Sequence, residues 1–338
     1  MTLAGTDWMA EGAPDQPQAV EEVSDAEKPE SWWRVIWSSK KARVGIFTVA
    51  IFILISVFAS LIAPHDPQDG SFPPLSEPTS TNLFGTNANG NDILSQLIYG
   101  GRISLIVGLL GGIAATVIAL FVGMVSGYTE GTIVDDILSF FTNTALVIPV
   151  LPLIITLVAY VDTRGIGLIV FVIAITSWAG AARAKRAQVI TLRNRDFITA
   201  AKFSGEGSLR IVFWEIMPNM TSLVAAAFVG ASTGAIGGEA ALSVLGLGNT
   251  SGNVSWGTML FQANQQGAMG QGLFLWLFMP GLVLGFLITA LSFINFGIDL
   301  LSNPHLRETG GGPAAAGGRG DGGGDSGVGD GGDGGGGN

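Results

Sequence analysis

Six stretches of the chain are apolar for long enough to cross a bilayer, and polar segments of very different character separate them. They are Val44–Ala63, Ile103–Tyr128, Ile137–Tyr160, Gly165–Ala182, Met220–Gly238 and Leu275–Ile298. A helix needs about 20 apolar residues to cross the hydrocarbon core. Lipid offers the backbone no hydrogen-bond partner, so such runs become helices. The pattern predicts an all-α, polytopic membrane protein with six transmembrane helices. Residues 44–305 form the membrane domain, 1–43 an acidic tail with an interfacial segment, and 306–338 a Gly/Asp-rich tail. No cleavable leader is expected, because the first apolar block is too long for one.

Lysine and arginine set the orientation. With both termini cytoplasmic, the inner segments hold fourteen basic residues and the outer ones only Arg102 and Arg164. The reverse topology inverts the positive-inside bias. Ser31-Trp32-Trp33-Arg34-Val35-Ile36-Trp37, followed by Lys40, Lys41 and Arg43, reads as an interfacial anchor for lipid headgroups. On the outer side, Pro64–Gly101 is rich in turn residues. The apolar piece Ala240–Gly248 is too short to span, and is expected to dip into the outer leaflet or to cap a pathway.

The cytoplasmic loop 183–218 has the composition of folded chain. Asp196 is placed to cap a helix from Phe197 to Ser204, which Gly205 ends in a left-handed conformation. Ser208 is placed to cap a second helix, which Pro218 interrupts at the membrane. Ala200 and Ala201 leave room for another protein's surface to approach the first helix. A helix lying on the membrane surface is the alternative.

Composition removes several kinds of chemistry. There is no cysteine, and His65 and His305 are the only histidines. A thiolate site, a multi-histidine metal site and a Ser/His/Asp arrangement therefore lack their parts. No catalytic, cofactor or metal site and no nucleic-acid partner is expected. The phosphate-binding pattern G-x-x-x-x-G-K-[ST] is absent, since Gly is never followed by Lys. The net charge of −10 is concentrated in the two tails, and five lysines stand against eleven arginines. That bias fits a high-salt proteome or ordinary solvated tails equally.

No ionisable group is expected deep in a span. Asp135 and Asp136 fall at the inner edge, Asp162 at the outer edge, and Glu239 and Asp299 just past span ends. Ion-coupled carriers bury such groups, so a stand-alone carrier or channel is the weaker alternative. Asn143, Thr176, Ser177, Trp178 and Asn295 are polar positions that can line a pathway or bond between helices. Pro149, Pro152 and Pro280 are expected to kink their helices. Gly108, Gly111 and Gly112 permit close helix packing.

Ile198-Thr199-Ala200-Ala201-Lys202-Phe203-Ser204-Gly205, followed by Ile216-Met217-Pro218, resembles the "EAA" loop of ABC-importer permeases. Ala200, Ala201, Gly205 and Pro218 match that pattern. Thr199 stands where the family has Glu, and Met217 where it has Leu. Leu83 to Asp92, Ser95 to Leu105, Gly238 to Gly248 and Ser255-Trp256-Gly257 are similar to elements of the dipeptide/oligopeptide/nickel branch, on its smaller-subunit side. Asn87 and Asn91 replace an Asp and an Arg of that branch. The resemblance runs from about Val44 to His305. It implies a six-helix ABC-importer permease (MetI-like) fold, and half of a translocation pathway. It also implies a second homologous permease, two cytoplasmic ABC ATPase subunits and an extracellular solute-binding protein as partners. Thr199, Ala200, Ala201, Gly205 and Pro218 become the ATPase-docking loop. Peptides, nickel or oligosaccharides become the substrate classes.

Overall fold

A computed structural model describes residues 37–161, 165–248 and 252–302. The two tails, Ser31 to Ile36, Asp162, Arg164 and His305 lie outside the described residues. Among those described there is no strand, only an isolated bridge between Thr86 and Asp92.

The first helix, α1, spans Lys40–Val57, with Ser39 capping it through Ala42 N–H. A single turn, α2 (Ala59–Ile62), follows. The loop 63–92 then leads to α3 (Ile93–Tyr128), which starts well before the apolar stretch predicted for it. Asp92 explains the early start. Its carboxylate accepts from Ser95 N–H at 2.8 Å and Ser95 O–H at 2.7 Å, and it holds Asn82 Nδ2 at 3.1 Å. Asparagine side chains brace the loop before it. Asn87 Oδ1 accepts from the backbone of Asn89 and Asn91, and Asn91 Nδ2 donates to the Pro67 carbonyl.

The third and fourth apolar stretches are each bent. α4 (Ile133–Val147) meets α5 (Val150–Ala159) at 89°, and α6 (Ile166–Ser177) meets α7 (Ala179–Leu192) at 45°. The first break falls at Pro149, where the residue before a proline is driven out of the helical region. Pro152 sits in the first turn of α5 and makes no kink of its own, and α11 runs through Pro280. The second break, at Trp178, has no proline and was not expected.

α8 (Asp196–Phe203) is the short loop helix. α9 then runs from Ser208 to Val244 as one rod. α10 (Trp256–Gln265) is a short helix and α11 (Phe274–Ser302) closes the bundle. Three helices, α3, α9 and α11, are each long and apolar enough to cross a membrane, or five spans if each bent pair is one.

Pro218 does not interrupt α9. It has no N–H to offer its own preceding turn, so the rod widens to a π-helix over Ile211–Ile216 and tightens to a 3-10 turn over Met217–Met220. The Met217 N–H reaches back to the Val212 carbonyl.

α3 and α9 form the central crossing. Glycines make it close, because a Cβ on Gly108 would lie 2.6 Å from Ile236 Cγ1 and one on Gly111 3.0 Å from Ala235 Cβ. α7 lies against the C-terminal end of α3 through Gly123 and Gly127, which face Ala182, Lys185 and Val189. α1 and α11 pack together on the other side. Large apolar faces remain outside, among them Phe140, Phe141 and Val147 on α4, and Phe278, Leu282 and Phe286 on α11. Faces of that size need lipid or a partner to cover them.

Candidate functional site

The loop between α7 and α9 is built around one buried side chain. Ile198 is fully buried and joins Met124 of α3, Val189 of α7, and Ile211, Val212, Ile216 and Met220 of α9. Burying such a chain is worth about 1.5–3 kcal/mol, so α8 is anchored to the ends of three long helices. Lys202 adds a cation–π contact, its Nζ 5.5 Å from the Tyr128 ring centre.

With Ile198 turned inward, the opposite face of α8 is free. Thr199, Ala200 and Phe203 are exposed, Phe203 at 88%, while Ala201 is half-buried against the Ile198 cluster. Thr199 spends its hydroxyl on the Arg195 carbonyl of its own helix. Gly205 ends α8 with φ +78, and the Glu206 N–H bonds back to the Ala201 carbonyl at 3.2 Å. The glycine stop expected here is present.

The caps differ from expectation. Arg195 occupies the N-cap of α8 without a side-chain bond, and Asp196 lies in the first turn, where its charge suits the helix dipole. Gly207 holds the N-cap position before Ser208, so Ser208 is likewise inside the helix. Pro218 is exposed within the 3-10 turn, well along α9 from the α8 face.

The polar positions predicted for a pathway do not converge. Asn143 lies on α4 and borders a cavity of about 140 Å³ with Ser126, Ser139, Thr142 and Arg183. Thr176 returns its hydroxyl to the Val172 and Ile173 carbonyls of its own helix. Ser177 and Trp178 mark the bend between α6 and α7. Asn295 is on α11, which packs against α1, α9 and α10, away from α4. Its Oδ1 is buried without a hydrogen bond.

The sequence puts Asp135 and Glu239 at span edges and Lys185 in the loop 183–218, and the structure buries all three. Glu239 lies inside α9, not beyond a span end, and is fully buried. Its Oε1 accepts from Ser243 at 2.8 Å and from Ser255 at 2.7 Å, and Ser104 approaches Oε2 at 3.5 Å. Lys185 is buried on α7, with Nζ donating to the Leu223 carbonyl at 2.9 Å. Asp135 is buried in the first turn of α4 and takes a two-pronged contact from Arg186 of α7. Among the described residues no group of His, Asp and Glu is arranged to hold a metal.

Comparison with known proteins covers most of the chain. Residues 119–308 match the family described as binding-protein-dependent transport system inner membrane component. Residues 30–78 match the N-terminal TM domain of oligopeptide transport permease C. The chain is 29% identical to the dipeptide transport system permease protein DppC of Bacillus subtilis (strain 168), over 81% of this chain and 85% of that one. It is 31% identical to the di/tripeptide transport system permease protein DppC of Pseudomonas aeruginosa (strain UCBPP-PA14), over 82% and 92%. It is also 31% identical to the oligopeptide transport system permease protein OppC of Lactococcus lactis subsp. lactis (strain IL1403), over 75% and 85%.

Proposed function

Because the chain belongs to the family of binding-protein-dependent transport system inner membrane components, we propose that it is one half of the translocation pathway of an ATP-driven importer for peptides or related solutes. It is a multi-pass protein of the plasma membrane. Six spans are assigned by counting α1, each bent pair, α3, α9 and α11, with both termini cytoplasmic. The basic residues of the loop 183–218 support that orientation.

A single observation carries the reading: α8 is anchored on its inner face by Ile198 and presents Thr199, Ala200 and Phe203 outward. A helix held so firmly, with an exposed aromatic beside two alanines, suits docking into a groove on another protein. The partner is a cytoplasmic ATPase, one of two, beneath this chain and a second homologous permease. ATP hydrolysis belongs to those subunits, and this chain supplies no catalytic group. An extracellular binding protein delivers solute to the outer segments. Closure of the ATPases pushes α8, and the spans rock between inward-open and outward-open states.

A carrier working alone would draw support from a buried ionisable group facing a pathway. Glu239 is buried, but hydroxyls of three serines already occupy its oxygens.

The deciding experiment purifies the tagged chain from its native membrane in mild detergent and identifies what accompanies it. A second permease and one or two P-loop ATPases are expected. Recovery of the chain alone, competent for transport in liposomes, would overturn the proposal. In the assembled importer, Gly205→Asp and Ala201→Arg should leave insertion intact and abolish coupling of hydrolysis to transport.

A further inference from the structure

The Asp135 carboxylate gathers five donors from four places in the chain. Arg186 of α7 contributes Nε to Oδ1 and Nη2 to Oδ2, both at 2.8 Å. Ser126 at the end of α3 donates at 2.6 Å, Ser139 of α4 at 3.0 Å, and the Gly131 N–H of the intervening turn at 3.3 Å. Seven positions after Arg186, and so on the same side of α7, Arg193 grips that turn again. Its Nη2 lies 2.6 Å from Glu130 Oε2, and Nη1 donates to the Tyr128 carbonyl.

A forked guanidinium–carboxylate pair fixes orientation as well as distance, which a single-point contact does not. Movement of α7 is therefore passed to the base of α4 as rotation and translation together. Beyond that base α4 is scarcely held. Thr142 is its only other buried residue, and Ile137, Phe140, Phe141 and Val147 are exposed. The far end of α4 turns through 89° into α5, which packs on α6. The cavity of about 140 Å³ beside the fork gives the α4–α7 contact room to shift. α7 in turn leads directly into α8.

We infer that the Asp135–Arg186 fork is the joint through which movement of the docking helix reaches the bent α4–α5 segment. Both are positioning residues, and the inference rests on the docking role proposed for α8.

This chain has no cysteine, so a pair introduced into it is labelled on the purified chain before the importer is reconstituted. Val147→Cys on α4 and Val117→Cys on α3, 82% and 58% exposed, accept a spin-label pair in the reconstituted importer. Pulsed dipolar spectroscopy compares the nucleotide-free and ATP–vanadate states. The expected result is a shift of a few ångströms in the unaltered fork. In Asp135→Asn that shift should vanish, with uptake down by about tenfold or more and ATP hydrolysis within about twofold. Label movement retained in Asp135→Asn, or hydrolysis and uptake falling in parallel, would overturn the inference. Should Asp135→Asn fail to assemble, Arg186→Lys keeps the pair charged but cannot fork, and is read by the same criterion. Gly205→Asp is run alongside. Coupling retained there removes the docking role. Coupling lost there, with movement retained in Asp135→Asn, removes the joint alone.

Discussion

Trp256 donates its indole N–H to the Leu97 carbonyl at 2.8 Å, which fastens α10 to the first turns of α3. The ring lies on Gly100 and Gly101, where added Cβ atoms would come within 2.9 Å and 3.0 Å of it. Phe52 of α1 meets its edge, with ring centres 5.8 Å apart. Trp256→Phe should remove the bond and keep most of the packing, at a cost of about 1 kcal/mol. Trp256→Ala should cost about 3–5 kcal/mol by leaving a cavity. Gly100→Val should be damaging for the opposite reason, overpacking. Thermal unfolding of the purified assembly checks the order of the three. A Trp256→Ala loss no greater than that of Trp256→Phe would contradict the packing role.

Glu239 ties the same region from the other side. Ser255, which caps α10 through the Thr258 N–H, also donates to Glu239 Oε1. Among the described residues no ion pair engages this carboxyl. It accepts hydroxyl hydrogen bonds, and a Gln oxygen can take the two at Oε1 while its NH2 group donates to the Ser104 hydroxyl in place of the long contact at Oε2. Glu239→Gln should therefore shift stability by less than about 1 kcal/mol, whereas Glu239→Leu orphans buried hydroxyls at about 1–3 kcal/mol each. Melting curves of the two variants decide. Equal losses would mean that the negative charge itself is required.

These two contacts mark the limit of what the sequence could yield. Local chemistry was legible: Gly205 as a helix stop and the α8 segment itself follow from neighbours in the chain, and α8 appears almost where expected. The start of α3 was misplaced because Ser95, Gln96, Tyr99 and Arg102 dilute its apolar pattern, although the Asp92 cap was there to be read. The apolar run stops at Gly238, which puts Glu239 outside a span in the sequence, and two of its three serine partners come from the distant positions 104 and 255. Asp135 and Arg186 are 51 positions apart, and no local period joins them. The bend at Trp178 has no proline to announce it. Contacts made by tertiary packing leave no periodic trace in a single sequence.

Gly205 separates a backbone requirement from the docking role proposed for α8. Its φ of +78 is unfavourable for residues with a Cβ, yet nothing lies within 4 Å of where that Cβ would be. Gly205→Ala should cost about 1 kcal/mol from the backbone alone. Gly205→Asn should cost less, since Asn tolerates this conformation. Both should retain coupling of hydrolysis to uptake, in contrast to Gly205→Asp, whose charge enters the face proposed for docking. Measured transport per ATP in the three variants tests this. Uncoupling by Gly205→Asn would show that the bare backbone itself makes contact with the ATPase.

Ile198 and Phe203 lie five positions apart on one short helix and do opposite things. Ile198 is wholly buried among the ends of α3, α7 and α9, while Phe203 is 88% exposed. Ile198→Ala should release α8 from its anchor at a cost of about 2–5 kcal/mol. Amide exchange across residues 196–204 should then speed up by about thirtyfold or more, because local opening sets the rate. Phe203→Ala removes contact area without touching the anchor, so exchange should hardly change in the isolated chain. Its effect should appear in the assembly, as weaker retention of the ATPase through purification. The two variants thus exchange phenotypes between stability of the helix and affinity of the partner. Faster exchange in Phe203→Ala, or full ATPase retention in that variant, would reverse the assignment of the two faces of α8.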